Sequence, residues 1–182
     1  MYPFQRRCGS QRRVRGEEGQ SLLETAFAMP LLLGIAFNLI NVSYLWFVVL
    51  ALSAAPRQGV EYATQGGIAS ATASAPGTSD VKDLVYENVT NAIKGATTSN
   101  VTVRVCTSAK GVNSSTHVAL CDQFGPAVTF SGPDADPEAP LFVLDRVDVV
   151  YTVTPIIPGT AFNVVLPANL HFHRQVSMRS LY

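Results

Sequence analysis

Glu24 is a lone carboxylate at the start of a long apolar stretch. An unpaired carboxylate costs about 3 kcal/mol or more in the hydrocarbon of a bilayer, so a cation is expected beside it. The alternative is an acid in the lipid headgroup region, which needs no partner. The chemistry open to Glu24 is therefore charge pairing at a membrane boundary.

Cys106 and Cys121 both follow the apolar stretch, whereas Cys8 precedes it. In an oxidising compartment, a disulfide between the two later cysteines would stabilise a small domain by about 3 kcal/mol. Two buried free thiols are the alternative. A metal site is disfavoured, because neither cysteine has a second one at CxxC spacing.

Two further groups of side chains have spacings that occur in metal sites. His171 and His173 project from the same side of a predicted strand, but a third ligand is missing. Asp134, Asp136 and Glu138 have the spacing with which a calcium loop begins, without the glycine and the distal glutamate that should follow. An exposed strand face and a solvated acidic turn are expected instead, and no metal or other cofactor is predicted.

Catalytic motifs are missing from the sequence. It contains no nucleophile elbow, phosphate-binding glycine loop, HExxH motif or paired Cys/His arrangement, so we do not expect an enzyme. The formal net charge is zero, and an excess of basic residues occurs only within residues 1–19. Nucleic acid is therefore not an expected partner.

One apolar helix must position Glu24. No charged residue occurs from Ala26 to Ala55, and about 20 apolar residues are enough to cross the hydrocarbon. The segment must be helical there, since every backbone group has to be paired within the chain. A cleaved signal peptide ending near Ala55 is disfavoured, because such apolar cores reach only about 15 residues. Asn38 and Asn41 are expected either against other helices or at an interface.

The distribution of arginine predicts the orientation of this helix. Only Arg57 follows the apolar segment closely, whereas five arginines precede it: Arg6, Arg7, Arg12, Arg13 and Arg15. By the positive-inside rule, the N-terminus is cytoplasmic and the C-terminal domain lies on the far side of the membrane.

Four regions follow from this pattern. They are a basic cytoplasmic leader over residues 1–19, a transmembrane and juxtamembrane helix over 20–63, a linker over 64–79 and an extracytoplasmic α+β domain over 80–182. The linker is rich in Ala, Ser, Thr and Gly and lacks the apolar periodicity of an ordered element. The fold class is thus a long helix followed by an antiparallel sheet with a short packing helix.

Hydrophobic periodicity predicts the elements of the domain. A short amphipathic helix extends from Val81 to Ile93, with Ser79 or Asp80 as its N-cap and Gly95 as its stop. Alternation with a period of two then predicts three strands, at residues 100–106, 141–154 and 169–179. Shorter strands are expected near 117–121 and 127–130. The inward positions of the last two long strands are Val147, Val149, Tyr151, Val153, Leu170, Phe172, Val176 and Met178.

The junction Gly19-Gln20-Ser21-Leu22-Leu23-Glu24 resembles a prepilin cleavage site. A second tract, Ala-Ala-Pro-Arg-Gln-Gly-Val-Glu-Tyr-Ala over residues 54–63, is similar to the Ala-Ala-x-Arg-x-Gly-x-x-Tyr-Ala tract of the TadE/TadG-like pseudopilins. These are type IV pilin-like proteins of the tight-adherence (Flp) pilus system. The resemblance covers residues 13–63, and Pro56 and Glu61 depart from the usual family residues.

The resemblance implies a processing site and an assembly residue. A prepilin peptidase would cut after Gly19, making Gln20 the new N-terminus and Glu24 the acid at the fifth mature position. The Gln20 ammonium, on this chain or on a neighbouring subunit, would then be the cation that pairs with Glu24. Expected partners are other Tad pilin-like subunits and assembly-platform proteins, at the bacterial inner membrane with the domain in the periplasm.

A second function of another class stays open. An unprocessed membrane-anchored extracytoplasmic adaptor, or a surface glycoprotein, would have the same anchor and domain. Asn88, Asn100 and Asn113 each begin a formal N-glycosylation sequon.

Overall fold

The computed structural model describes residues 14–65, 75–157 and 170–180. They form two helices, α1 (Val14–Gln65) and α2 (Thr78–Ala92). Four strands follow, β1 (Val101–Val112), β2 (Ala119–Phe124), β3 (Leu144–Val153) and β4 (Leu170–Arg179). The predicted class, a long apolar helix followed by a short helix and an antiparallel sheet, is confirmed.

Helix α1 extends without a break from the end of the leader into the domain. Its 52 residues include Pro30 and Pro56, and it ends at Gln65, two residues beyond the predicted end. The departure from the family pattern at Pro56 therefore does not end the helix. Residues 1–13 of the predicted leader and 66–74 of the predicted linker lie outside the described residues.

Helix α2 begins slightly earlier than the sequence predicts. Its N-cap is Gly77 rather than Ser79 or Asp80. The Gly77 N–H donates to the Asp80 carboxylate over 3.3 Å, so Asp80 lies in the first turn and compensates there for an unpaired backbone donor. The C-cap is Ile93, and Gly95 has a φ of +98° two residues later.

The sheet is antiparallel throughout, in the order β2-β1-β3-β4. The register places Val103 opposite Val149, and Tyr151 opposite Phe172. One face, the apolar face, carries the inward positions predicted for β3 and β4, which are buried or partly buried against the helices. That part of the prediction is confirmed.

Both helices pack on the apolar face. The C-terminal part of α1 lies against β3 and β4, and α2 lies against β1. Val48, Leu52 and Ala55 of α1 are at most 2 % exposed within this core. The uncharged stretch from Ala26 to Ala55 is longer than a bilayer requires, and the apolar side chains of its last turns are buried by the domain. This placement also disfavours signal-peptide cleavage near Ala55.

Gly59 sets the distance between the two helices. A Cβ added at this position would lie 2.5 Å from Cγ2 of Val85 on α2 and 3.5 Å from Cγ1 of Val147 on β3. Only a residue without a side chain fits between these buried valines. The tract that resembles the pseudopilins therefore has a packing role in this chain.

The opposite face, the polar face, is covered by the chain that follows β2. The predicted strand at 127–130 is wrong, since this segment has no strand pairing. Instead, the Thr102 hydroxyl donates to the Pro126 carbonyl over 2.9 Å, and the Gln123 amide donates to the Val128 carbonyl over 3.2 Å. These side-chain bonds satisfy backbone carbonyls that a strand would have paired.

Gly125 is the first residue of the segment that follows β2 and covers the polar face, and its φ is +96°. We expect Gly125→Ala to lower the free energy of unfolding by about 3 kcal/mol, because the conformation is left-handed and the new Cβ would lie 2.4 Å from the Val101 carbonyl oxygen. Urea unfolding of detergent-solubilised protein, followed by near-UV circular dichroism, measures the loss.

Gly95 supplies the matched control. Its φ of +98° is nearly the same, but no atom lies within 4 Å of an added Cβ. Gly95→Ala should therefore cost only the backbone strain, about 1–2 kcal/mol. Equal losses in the two variants would contradict the steric contribution at Gly125.

Candidate functional site

The residues of the predicted processing site lie on the exposed N-terminal part of α1. Gly19, Gln20 and Glu24 are all exposed. A Cβ added at Gly19 would meet no atom of the described residues within 4 Å, apart from its chain neighbours and the backbone of its own helix. Gln20 and Glu24 are four residues apart on a helix and so share one face. Among the residues whose side chains the structure describes, Glu24 has no ion-pair partner. The fold leaves this segment open to a second protein.

Asn41 has a different neighbour from the ones that the sequence suggested. Its side chain is 1 % exposed, although it lies within the uncharged stretch. The Asn41 amide donates to the Ile157 carbonyl over 3.2 Å, and its carbonyl accepts from the Ile157 N–H over 3.1 Å. Both groups thus bond to the turn that follows β3. Asn41 joins the domain to α1. Of the two alternatives, contact with another helix is therefore wrong for Asn41, and a position at the membrane interface stays a prediction.

Tyr44, about one helical turn after Asn41, makes a second contact between α1 and the domain. It is hydrogen-bonded to Tyr151 of β3, which is buried. Burial, and then the contact with Tyr44, raises the pKa of the Tyr151 hydroxyl well above its ordinary value. The phenol therefore stays neutral and acts as a structural contact.

Cys106 and Cys121 face each other directly across the β1–β2 pair. The structure joins them by a disulfide, with sulfurs 2.09 Å apart. The bond closes the edge strand β2 onto β1, and Cys106 is completely buried. Its place in the sheet is that of a stabilising cross-link.

A charged cluster that the sequence reading missed lies on the polar face. Asp148 is completely buried on β3, between Arg104 on β1 and Arg146 on the same strand. Arg104 donates to one carboxylate oxygen through Nε at 3.0 Å and Nη2 at 2.8 Å. Arg146 donates to the other through Nη2 at 2.8 Å, and His173 Nε2 lies 2.8 Å from that same oxygen.

The two guanidiniums exceed the charge of the Asp148 carboxylate, and groups of the segment that follows β2 compensate. One is charged: the carboxylate of Asp134, which is exposed, lies 4.0 Å from Nη1 of Arg146. The Arg146 guanidinium donates to the Gly132 carbonyl over 3.3 Å and to the Ser131 hydroxyl over 3.2 Å. The Phe130 ring lies 4.5 Å from the guanidinium carbon of Arg104, an attractive cation–π distance. The cluster therefore fixes the covering segment on the sheet.

Burial alone would raise the pKa of the Asp148 carboxyl. Hydrogen bonds from Arg146, Arg104 and His173 outweigh it and hold the pKa below its ordinary value. Asp145 is also buried but on the apolar face, where its donors among the described residues belong to Ser108, whose N–H donates at 2.6 Å. Burial therefore raises the pKa of the Asp145 carboxyl.

The acidic turn is anchored by an arginine. Arg179 donates to the Asp136 carboxylate through Nε at 2.8 Å and Nη2 at 3.0 Å. The Glu138 N–H, and then Arg179, lowers the pKa of Asp136. The expectation that this turn is simply solvated is thus wrong for Asp136, whose carboxylate is buried in an ion pair.

His171 and His173 project from the polar face of β4, as the alternation predicted. His171 Nδ1 lies 2.9 Å from the Thr152 hydroxyl, while His173 contacts Asp148. Both line a cleft of about 330 Å³ beside Phe130. Within the described ranges, no group of three or more His, Cys, Asp or Glu side chains could hold a metal ion.

The three sequons occupy different surroundings. The side-chain nitrogen of Asn88 is buried and has no hydrogen-bond partner among the described residues, so it is inaccessible to glycosylation in the folded chain. The Asn100 amide donates to the Gly95 carbonyl over 2.9 Å. The side-chain oxygen of Asn113 accepts from Ser115 N–H over 2.9 Å and so closes a turn. The Asn100 and Asn113 amides therefore serve as turn-forming groups.

By length and apolar composition, α1 contains one stretch able to cross a membrane, within Gly19–Thr64. Its mean hydropathy is 2.0. No protein-family model, curated protein or solved structure matches this chain.

Proposed function

We propose that this chain is a minor pseudopilin-like subunit that takes part in assembly of a tight-adherence pilus. A prepilin peptidase would mature it by cutting between Gly19 and Gln20. The observation that carries the proposal is the position of Gly19, Gln20 and Glu24 on the exposed first turns of a continuous apolar helix. A peptidase and a neighbouring subunit both need this segment free of the chain's own domain.

The anchor would be the part of α1 that precedes Asn41. Residues 21–40 form about 30 Å of helix, which matches the hydrocarbon thickness of a bilayer. Large apolar side chains in this range are exposed, among them Phe27 at 76 % and Leu31 at 66 %. The basic leader would lie in the cytoplasm and the sheet domain in the periplasm.

Glu24 would act in assembly rather than in folding of the monomer. Its carboxylate contacts no cation among the described side chains, and its face of α1 is open. Removal of the leader would create an ammonium at Gln20. Pairing with the Gln20 ammonium of an adjacent subunit would offset the cost of placing Glu24 near hydrocarbon.

N-terminal sequencing of the protein from bacterial membranes tests the proposed function. A mature N-terminus at Gln20 supports it. An intact Met1 in cells that contain an active prepilin peptidase would instead support the unprocessed adaptor.

We expect Glu24→Gln to reduce surface pili and subunit crosslinking to background in a bacterium that lacks the native copy. The amide preserves size and helix propensity but removes the charge. Membrane insertion should persist, because a neutral amide is easier to bury than a carboxylate. Crosslinking yield and electron microscopy of pili provide the measurements.

Glu61→Gln is the matched control on the same helix. Glu61 pairs with Arg57 at 2.9 Å on an exposed surface, where an ion pair contributes little. This variant should assemble normally. Parental assembly by Glu24→Gln would identify Glu24 as an ordinary headgroup acid.

A further inference from the structure

The turn after β3 meets α1 at Asn41, within an exposed apolar surface of α1 that continues to Leu50. Asn41 holds the backbone of Ile157 with two hydrogen bonds, so residues 154–157 lie beside α1 at that level. The Ile156 side chain is 56 % exposed, although the next residue is fixed in place. An apolar side chain thus projects from the domain beside the exposed apolar surface of α1.

The position of this turn along the axis of α1 can be compared with the expected position of the bilayer edge. If residues 21–40 cross the hydrocarbon, Asn41 lies at its outer edge. Trp46 follows about 7.5 Å further along α1 and is 68 % exposed. Tryptophan concentrates at the membrane–water interface, which is consistent with a boundary between these two residues.

Charge separates the two ends of the domain. The connection from β3 to β4, residues 154–169, contains no Asp, Glu, Lys or Arg. At the other end of the sheet, the segment before β3 contains Asp134, which is 88 % exposed, and Glu138, which is 57 % exposed. The described turn at residues 154–157 thus has a composition that a lipid surface accepts.

We infer that the turn at residues 154–157 rests in the lipid interface of the outer leaflet of the inner membrane, with the Ile156 side chain inserted between lipids. This inference rests on the membrane anchoring in the proposed function. The domain then has two membrane contacts, α1 and Ile156, and the second contact limits its rotation about the helix axis.

Depth-dependent fluorescence quenching tests this contact. The sequence has a single tryptophan, so Trp46→Phe removes the intrinsic signal. Ile156→Trp, Leu141→Trp and Leu33→Trp are then made separately in that background. Each full-length protein is reconstituted in phosphatidylcholine liposomes, with bromine placed either near the headgroup end of the acyl chains or near their terminal methyl.

Leu141 is the control for an exposed apolar residue at the far end of the sheet. It is 82 % exposed and precedes β3, about 30 Å from Ile156 along the strand direction. Leu33 lies midway along residues 21–40 and reports on the anchor itself. Near-UV circular dichroism checks that each variant keeps the parental fold.

The expected result is quenching of Ile156→Trp by the shallow bromines, about twofold or more above the quenching of Leu141→Trp. Leu33→Trp should be quenched most by the deep bromines. If Leu33→Trp is quenched but Ile156→Trp is quenched no more than Leu141→Trp, the interface contact is wrong and the membrane anchoring is still supported. If Leu33→Trp is not quenched, the membrane anchoring fails and the inference fails with it.

Discussion

Gly19→Leu is expected to abolish removal of the leader while the folded domain stays intact. A prepilin peptidase must accommodate the residue before the scissile bond, and a branched side chain would obstruct that position. The described part of the fold tolerates the change, because a Cβ at Gly19 would meet none of its side chains within 4 Å and leucine favours helix more than glycine. Intact mass of the protein from membranes with an active prepilin peptidase should retain residues 1–19.

Gly34→Leu separates a processing defect from a general defect of α1. Gly34 lies on the same helix and also has no atom within 4 Å of an added Cβ. This variant should lose its leader normally. Maturation of Gly19→Leu to the parental mass would show that the cleavage site was assigned wrongly.

Asp148→Asn is expected to lower the free energy of unfolding by about 3–5 kcal/mol, the largest effect of a single substitution in the domain. It would leave Arg104, 8 % exposed, and Arg146, 2 % exposed, without their shared counter-charge. Urea unfolding near neutral pH gives the difference. A loss below about 1 kcal/mol would mean that the covering segment releases the guanidiniums to water at little cost.

Asp145→Asn is the matched control, three positions away on the same strand. Asp145 is as buried as Asp148, but its carboxyl has a raised pKa and no cation partner among the described residues. The amide removes a charge that opposes folding at neutral pH. We therefore expect Asp145→Asn to leave stability unchanged or to increase it, the opposite sign to Asp148→Asn.

The two carboxyls also respond oppositely to pH. The pKa of Asp148 is lower in the folded state, so its contribution is present above about pH 4 and is lost as the pH falls through the folded value. The pKa of Asp145 is higher in the folded state, so its favourable contribution at low pH is lost as the pH rises through that value.

The face on which each strand residue lies could be predicted because alternation with a period of two is present in the sequence. Val147 and Val149 share a face for that reason, and the structure buries both. Alternation does not reveal what covers the second face. Asp148 shares the other face of β3 with Arg146, as a solvent-facing side would, yet it is completely buried. Burial there depends on the segment that follows β2, for which the sequence predicted a strand at 127–130 and gave no indication that it covers this face.

The end of the exposed apolar helix was also beyond prediction from composition. Leu50 is 62 % exposed, whereas Leu52 is completely buried two positions later. Lipid-facing and core-facing positions both accept leucine, so the composition of the uncharged stretch does not show where burial in the domain begins. The candidate site at Gly19, Gln20 and Glu24 was recognisable because it depends on adjacent residues in the chain. The Arg104–Asp148 pair was missed because its partners are 44 residues apart.

The burial of Val48, Leu52 and Val60 in the domain core has a mechanical consequence. The C-terminal part of α1 forms one side of the domain core, and α1 is continuous from the apolar segment to Gln65. A pull along the helix axis would be resisted in shear by side chains interlocked with α2 and β3. A domain hung from a flexible tether would swivel under the same load. Because the helix is packed into the domain, a protein that binds the N-terminal half of α1 also sets the orientation of the domain.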